Sequence, residues 1–339
     1  MNKYVGLDLG ISSIKAVELI TNKEGKLAIN NAYILKSPPD AVVDGTIVDY
    51  QELSGDIAKV FITGGFKSDG VALALKGSNV IAKKARIPFL SKLQLENDLH
   101  FILDQYMKID LEEYAVSYNI VEIDTINSNA LVVFAAMRKD SVSDYASLLE
   151  SAQLLTEVMN VEAFALCNLY SFMKLPRDNV SLIAHIGHSS TQFVFLNKGI
   201  FSHHETSANA GSYCTTLIIN AVGVAEDKAE LMKISPEAFP EGELVKKIIT
   251  EGFIPDFIKS FEQAVNIYLT LGNMPPARIF LSGGGAKTFG LEDALKEQTT
   301  LDIAVMNPGS HIEINSNVVQ QLMDSKPAIF NVAIGMVLD

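Results

Sequence analysis

Residues 4–19 read Tyr4-Val5-Gly6-Leu7-Asp8-Leu9-Gly10-Ile11-Ser12-Ser13-Ile14-Lys15-Ala16-Val17-Glu18-Leu19. An apolar run with high β propensity precedes Gly10, and a second alternating run follows from Ile14. This pattern predicts a strand, a tight turn of small residues and a partner strand. Glycine at the turn lets the backbone approach a ligand closely, because glycine has no Cβ.

The polar side chains around this turn are suited to phosphate and a metal ion. Ser12 and Ser13 offer hydroxyl and backbone N–H groups to anionic oxygens, and Asp8 lies at the end of the first strand. A carboxylate beside phosphate donors indicates a hydrated cation between them, and Mg²⁺ with a nucleotide phosphate is the usual case. The alternative is an ordinary hairpin whose Asp and Ser residues only form the turn.

The same pattern occurs a second time near the middle of the chain. An apolar strand at 180–186 leads into Gly187-His188-Ser189-Ser190, and a second strand returns from Thr191. Two Gly-Xaa-Ser-Ser turns facing each other could hold the β- and γ-phosphates of one nucleotide, which makes chance turn chemistry the weaker explanation. A third turn, Gly283-Gly284-Gly285, follows a strand at 278–281 and lets a purine or ribose lie flat against bare backbone. The sequence contains no P-loop.

Composition limits the classes of partner. The chain has 339 residues, 27 basic against 40 acidic, and a net charge of −13 without a cluster of Lys and Arg, which argues against nucleic acid. A hydrophobic fraction of 48% allows large cores and two or more domains. Cys167 and Cys214 are far apart, so we predict neither a disulfide framework nor a zinc cluster. No run reaches the length of a bilayer span, which predicts no direct membrane insertion.

Four histidines give a second interpretation of the middle of the chain. They lie on neighbouring predicted strands and their turn, and only Glu205 is an acidic neighbour. A zinc site is the alternative here, but scattered surface and strand histidines are the better interpretation. The four are His185, His188, His203 and His204.

Residues 78–157 have the pattern of a separate small module. A strand ends at Pro88, a helix begins at Ser91, two strands cover 113–122 and 130–137, and a further helix follows. This order, strand–helix–strand–strand–helix, predicts a small subdomain inserted into the first domain.

Together these features resemble the actin-like superfamily, which includes actins, heat-shock chaperones and sugar kinases. The order of the insert is similar to the FtsA and PilM branch, and the finer similarity is to the family of type IV pilus assembly proteins called PilM. It covers essentially the whole chain. The stretches that carry it are 5–19, 44–49, 76–81, Ile87-Pro88, 162–170, 279–285 and 331–338.

The resemblance implies an α/β, actin-like (ribonuclease H-like) fold of two domains. The core of domain I would comprise 1–77 and 158–178, with the insert at 78–157. The core of domain II would comprise 179–212 and 276–339, with a helical subdomain at 213–275. The last helix is expected to pack back on domain I.

The resemblance also implies ATP and Mg²⁺ as ligands, with Asp8 holding Mg²⁺ through water. Where the second hairpin of the superfamily usually carries Asp, this chain has His185, so we expect little or slow ATP hydrolysis. Glu162 is the remaining acidic candidate to orient a water molecule. The expected nucleotide-binding residues are Asp8, Gly10, Ser12, Ser13, Lys15, Gly187, Ser189, Ser190, Gly211, Glu230, Lys233, Gly283, Gly284, Gly285 and Lys287.

The function implied is that of a cytoplasmic component of the type IV pilus inner-membrane assembly complex, peripheral to the membrane through its partner. That partner is the short N-terminal cytoplasmic tail of PilN, docked where the insert meets domain I, together with other inner-membrane components of the pilus. One alternative is an FtsA-like, membrane-tethered filament protein, which needs a C-terminal amphipathic tail that we do not find. The other is a small-molecule kinase, which needs the Asp that His185 replaces.

Overall fold

The computed structural model describes residues 4–22, 24–89, 91–325 and 327–338. Within them the chain divides into two compact units. Unit 1 contains residues 4–168, 200–203 and 332–338, and unit 2 contains residues 169–199 and 204–331. Residue 339, the predicted end of domain II, lies outside the described residues, and the predicted domain boundaries stay predictions.

Unit 1 is built on a mixed sheet. Its strands are β1 (Val5–Leu9), β2 (Ser13–Thr21), β3 (Leu27–Lys36), β4 (Val42–Val43), β5 (Thr46–Ile47), β6 (Gly70–Leu75), β7 (Ile81–Pro88), β8 (Tyr114–Asp124), β9 (Asn129–Arg138) and β10 (Leu155–Val161). Five of them lie side by side in the order β10–β6–β1–β2–β3. The first three strands form an antiparallel meander, and β6 and β10 run parallel to β1. Strands β1 and β6 are buried along their whole length, which fits their unbroken apolar sequences.

Helices complete the core of unit 1. They are α1 (Tyr50–Gly64), α2 (Lys92–Met107), α3 (Lys139–Ser151) and α4 (Glu162–Phe172), the last of which continues into unit 2. Helix α1 begins where the Asp49 carboxylate accepts the Glu52 N–H at 2.9 Å, and it ends at Gly65 in the left-handed conformation. An Asp at the N-cap satisfies a backbone N–H group that has no partner within the helix. Buried side chains of α1 and α3 share one cluster with those of β1 and β6.

The insert has its own smaller sheet, in the order β7–β9–β8, with all pairs antiparallel. Leu95 and Ile102 of α2 pack against the sheet in a separate apolar cluster. The predicted range 78–157 assigns helix α3 to the insert, but α3 contributes its buried side chains to a different cluster. Its buried side chains, Tyr145, Leu148 and Leu149, belong to the cluster of the large sheet instead. Residues 81–136 therefore form the self-contained part of the insert.

Unit 2 repeats the strand arrangement of unit 1. Its strands are β11 (Val180–Ile186), β12 (Thr191–Asn197), β13 (Ile200–Ser207), β14 (Arg278–Ser282), β15 (Asp302–Val305) and β16 (Glu313–Ile314). Five lie in the order β13–β12–β11–β14–β15, with β11 antiparallel to β12 and parallel to β14. Strand β15 is parallel to β14. Both units thus place two parallel strands beside an antiparallel hairpin.

The remaining helices of the described chain follow β13. They are α5 (Gly211–Val222), α6 (Glu226–Ile234), α7 (Gly242–Ile248), α8 (Ile254–Thr270), α9 (Leu291–Gln298), α10 (Asn317–Ser325) and α11 (Asn331–Val337), the last belonging mainly to unit 1. A π-helical turn at Ile249–Phe253 joins α7 to α8. Buried side chains of α5–α8 share one cluster with the strands, so the region predicted as a helical subdomain at 213–275 packs into the core of the sheet. Among the described residues no helix is long and apolar enough to cross a bilayer.

Two glycines bring α11 close to the rest of unit 1. A Cβ at Gly6 of β1 would lie 1.9 Å from the carbonyl oxygen of Ala333. A Cβ at Gly335 would lie 2.0 Å from the carbonyl oxygen of Ala165 in α4. Both distances are far below van der Waals contact with backbone atoms, so α11 can pack here only where these two positions lack a side chain.

This close packing predicts a contrast between two helical glycines. Gly335→Ala should lower the free energy of unfolding by about 1–3 kcal/mol, because backbone must move to admit the methyl group. Gly55→Ala is the matched control, since Gly55 is exposed in α1 with no atom within 4 Å of the new Cβ. It should stabilise the protein by about 0.5–1 kcal/mol. Urea unfolding measures both, and equal effects would contradict the packing.

Candidate functional site

The first Gly-Xaa-Ser-Ser turn joins β1 to β2 in unit 1. The Gly10 N–H donates to the Ser13 carbonyl at 3.0 Å, and the Ser37 hydroxyl donates to the Gly10 carbonyl at 2.6 Å. A Cβ at Gly10 would lie 2.6 Å from the Ser13 oxygen and 2.8 Å from the Lys15 ammonium. The turn therefore requires glycine, and it leaves Ser12 exposed at its tip.

Asp8 lies buried behind this turn between two ammonium groups. The β1–β2 register places Asp8 opposite Lys15, and Lys15 Nζ is 2.9 Å from Asp8 Oδ2. Lys76 Nζ is 2.7 Å from Asp8 Oδ1. Burial alone would raise the pKa of the Asp8 carboxyl, but the two lysines outweigh burial and hold this pKa well below its usual value. Asp8 is therefore a permanent carboxylate whose two oxygens each accept an ammonium donor.

Lys76 is a site residue that our sequence analysis did not identify. It directly follows β6, the parallel neighbour of β1, and Glu162 directly follows β10, the next parallel strand. The carboxyl ends of parallel strands meet at one edge of a sheet. The sequence signal for Lys76 and Glu162 is therefore a charged residue directly after a buried strand. Burial would lower the pKa of Lys76, but Asp8 and then Glu162 raise it.

The geometry around Asp8 does not fit the predicted role in holding Mg²⁺ through water. Mg²⁺ keeps several water molecules in an octahedral shell and needs an accessible carboxylate to bind that shell. The Asp8 side chain is 3% exposed, and both of its oxygens are ion-paired. The Asp8 carboxylate instead holds Lys15 and Lys76 in place.

The second turn, in unit 2, repeats the backbone geometry of the first. The Gly187 N–H donates to the Ser190 carbonyl at 2.9 Å, as Gly10 does to Ser13. A Cβ at Gly187 would lie 2.9 Å from that same oxygen. Ser189, the counterpart of Ser12, is exposed at the tip. The two predicted hairpins thus have the same backbone hydrogen bond at the turn.

The side chains behind the second turn carry no acid. His185 and Gln192 occupy the positions that Asp8 and Lys15 occupy in unit 1, and they lie opposite each other in the β11–β12 register. His185 Nδ1 is 3.0 Å from the Ser282 hydroxyl, and the Asn331 amide donates to the same hydroxyl at 2.9 Å. A buried hydrogen-bonded network without Asp or Lys therefore stands where unit 1 has an ion cluster.

The predicted residues of α5 and α6 meet beside the second turn. The Gly211 N–H donates to the Gly187 carbonyl at 3.0 Å. Lys233 is almost fully buried, and its ammonium donates to the Gly211 carbonyl at 3.2 Å, the Thr215 hydroxyl at 2.9 Å and Glu230 at 2.7 Å. Glu230 also accepts a hydrogen bond from Thr215. Lys233 therefore fixes the start of α5 against the turn.

The three glycines after β14 have different surroundings. A Cβ at Gly283, where φ is 82°, would lie 2.4 Å from the Ile186 carbonyl oxygen, and one at Gly285 would lie 2.2 Å from the Ile186 side chain. At Gly284 the nearest atom is 3.9 Å away, and the residue is exposed. Gly283 and Gly285 are required by packing, whereas the backbone at Gly284 is exposed and open. The Lys287 ammonium donates to the Ser325 carbonyl at the end of α10.

The histidine alternative has no support in the geometry. Within the described part of the chain, no group of three or more His, Cys, Asp or Glu side chains could hold a metal ion. The residues of each unit are instead suited to an anionic, flat ligand. Unit 1 offers a turn with two lysines behind it, and unit 2 offers a second turn, the Lys233–Glu230 pair and the exposed Gly284 backbone.

Solved structures share this fold over nearly the whole chain. A PilM–PilN type IV pilus biogenesis complex matches with a TM-score of 0.83 at 20% identity, covering 99% of this chain and 98% of that one. The ethanolamine utilization protein EutJ from Carboxydothermus hydrogenoformans matches with a TM-score of 0.57 at 14% identity, covering 100% and 90%. MreB5 of Spiroplasma citri bound to AMPPNP matches with a TM-score of 0.53 at 13% identity, covering 100% and 96%. The predicted actin-like α/β fold is confirmed.

The family is shown by the sequence over nearly its full length. A family model described as type IV pilus assembly protein PilM matches residues 6–339. The match includes both Gly-Xaa-Ser-Ser turns, the insert and the Gly283–Gly285 turn. It confirms the predicted resemblance and does not favour the FtsA-like or kinase alternatives. The chain belongs to the PilM family of type IV pilus assembly proteins.

Proposed function

We propose that this protein is an ATP-binding component of the type IV pilus inner-membrane assembly complex and that it binds the cytoplasmic N-terminal tail of PilN. The observation that carries the nucleotide part is the repeated turn, since both units place a Gly N–H to Ser carbonyl hairpin at the end of a buried strand. The protein would act in the cytoplasm, held at the inner membrane by its partner. PilN is suggested by the matching PilM–PilN complex.

The nucleotide would use different chemistry in each unit. Backbone N–H groups, Ser12 and Lys15 of the first turn suit phosphate oxygens, as do Ser189 and Ser190 of the second. Glu230 and Lys233 suit the polar edge of a ribose. The bare backbone at Gly284 suits the flat face of a purine. MreB5, which shares the fold, was solved with the ATP analogue AMPPNP.

Gly284 gives the sharpest test of nucleotide binding. Gly284→Val should weaken ATP binding at least about tenfold by calorimetry, because the new side chain covers the exposed backbone where we place the base. The fold should be unaffected, since the nearest atom to the new Cβ is 3.9 Å away. Gly55→Val is the control, at another exposed glycine with open space around it. Wild-type affinity in a folded Gly284→Val protein would place the base elsewhere.

Hydrolysis should be slow because the second turn lacks a carboxylate. His185 occupies the position where the superfamily usually has Asp, and its ring is held by Ser282 within a hydrogen-bonded network. Glu162, the other candidate, is buried close enough to Lys76 to raise the pKa of that lysine. Neither group is arranged to accept a proton from an attacking water molecule.

Steady-state ATPase measurements test this reading of His185. The wild-type rate should fall below the ordinary enzyme range of about 1–10³ s⁻¹. His185→Asp should raise the rate, because Ser282 and Asn331 can position the new carboxylate. His311→Asp adds the same charge at an exposed histidine and should change nothing. A fast wild-type enzyme would contradict the assignment.

The insert offers two places for the PilN tail. One is the predicted junction with domain I, where an extended peptide could add to an outer strand, since β7 and β8 are the edges of the small sheet. The other is a hollow of about 530 Å³ at the end of α2, lined by the 68%-exposed Phe101 and by Ile109 and Leu111. Asp104, Lys108 and Asp110 also line it, and the excess of one negative charge suits a tail with basic residues.

Deleting the insert tests whether it binds the tail at all. Ile81 pairs with Ala136, so a short Gly/Ser linker can replace residues 81–136 without separating the remaining ends. The deletion should abolish binding of a synthetic PilN tail peptide while ATP binding remains measurable. Retained peptide binding by a folded deletion variant would move the partner site elsewhere.

A point variant separates the two locations. Phe101→Ser should weaken peptide binding about tenfold if the tail fills the hollow and should have no effect if the tail binds only at the junction. Ile126→Ser is the matched control, because Ile126 is a 92%-exposed apolar residue of the same insert outside the hollow. Fluorescence anisotropy of the labelled peptide measures both.

A further inference from the structure

The ion cluster behind the first turn leads to an inference that rests on the proposed nucleotide binding. We propose that this protein binds nucleotide phosphates through the ammonium groups of Lys15 and Lys76 and without a magnesium ion. The two lysines already complete the coordination of the Asp8 carboxylate, at 2.9 Å and 2.7 Å. They therefore supply the positive charge that Mg²⁺ would otherwise bring to the phosphates.

The space and the charge around Asp8 do not suit a hydrated Mg²⁺ ion. A hydrated Mg²⁺ must reach a carboxylate oxygen with its water shell, and the Asp8 side chain is 3% exposed. A divalent cation at that position would also lie next to two ammonium groups, and the repulsion between like charges is strong where water is largely excluded. Mg²⁺ would have to displace both lysines to gain this ligand.

The corresponding positions of unit 2 offer no substitute carboxylate, and Glu162 of unit 1 already interacts with a lysine. The counterparts of Asp8 and Lys15 in unit 2 are His185 and Gln192, which carry no acid. Glu162 is buried and interacts electrostatically with Lys76. Across the described residues, no cluster of His, Cys, Asp and Glu is suited to a metal ion.

Lys15 and Lys76 retain N–H donors for phosphate. An ammonium group has three N–H donors. Lys15 uses one on Asp8 and one on the Ser13 carbonyl at 3.2 Å, beside the Gly10 turn, and this leaves one for a ligand. Lys76 donates to Asp8 Oδ1 at 2.7 Å, and its side chain is 20% exposed. Asp8 and Glu162 keep Lys76 protonated, so its charge is available at neutral pH.

Calorimetry with ADP and ATP in two buffers tests the inference on the full-length wild-type protein. One buffer contains excess EDTA and the other contains Mg²⁺. The dissociation constant should differ by less than about threefold between them. Affinity that rises tenfold or more with Mg²⁺ would overturn the inference while supporting nucleotide binding. No binding in either buffer would refute the proposed nucleotide site and the inference with it.

A variant that lacks one ammonium group gives a second test of binding without Mg²⁺. Lys76→Met frees Asp8 Oδ1 and removes a positive charge, so binding in EDTA should weaken at least tenfold and Mg²⁺ should restore part of it. Lys247→Met removes an exposed lysine paired with Glu251 and should leave affinity unchanged in both buffers. A Lys76→Met protein that binds like wild type in EDTA contradicts the inference. If this variant does not fold, the two-buffer comparison on the wild type decides alone.

Discussion

A carboxylate can lie buried behind a turn only if other groups replace the water that it loses. Asp8 meets this constraint through two ammonium groups, one from its partner strand and one from the end of the neighbouring parallel strand. Removing the carboxylate of such a buried cluster costs about 3–5 kcal/mol, because the ammonium groups lose their shared partner. Asp8, Lys15 and Lys76 therefore stabilise unit 1 as one ion cluster behind the Gly10 turn.

Unit 2 has the same type of turn without an Asp–Lys pair behind it. Its turn has the same Gly N–H to Ser carbonyl hydrogen bond, but the pair behind it is His185 and Gln192. Ser282 and Asn331 satisfy the His185 ring through hydroxyl and amide groups. The two turns thus share a geometry that suits phosphate and differ in the electrostatics behind it. Each turn is thus supported by different side chains, two lysines around Asp8 in unit 1 and the Ser282–Asn331 pair around His185 in unit 2.

Local patterns in the sequence predicted the turns well, because each depends on residues within four positions. The Gly10 and Gly187 turns and the order of strands in the insert follow from short-range chemistry. Lys76 was missed because its partner is 68 residues away in the sequence. The range 78–157, which places α3 in the insert, stays a prediction. The buried side chains of α3 share the cluster of the large sheet, and a pattern along the sequence does not reveal such a long-range contact.

The insert forms a part of unit 1 with a core of its own. Its sheet has its own apolar cluster, and it joins the large sheet through the adjacent ends at Ile81 and Ala136. Helix α3, which follows the insert, packs instead on the large sheet, where the Tyr145 hydroxyl donates to the Gly45 carbonyl at 2.9 Å. A Cβ at Gly45 would in turn lie 2.2 Å from the carbonyl oxygen of Lys76. The helix at the base of the insert is therefore connected by close packing to the backbone that positions Lys76, and through Lys76 to the buried Asp8 carboxylate.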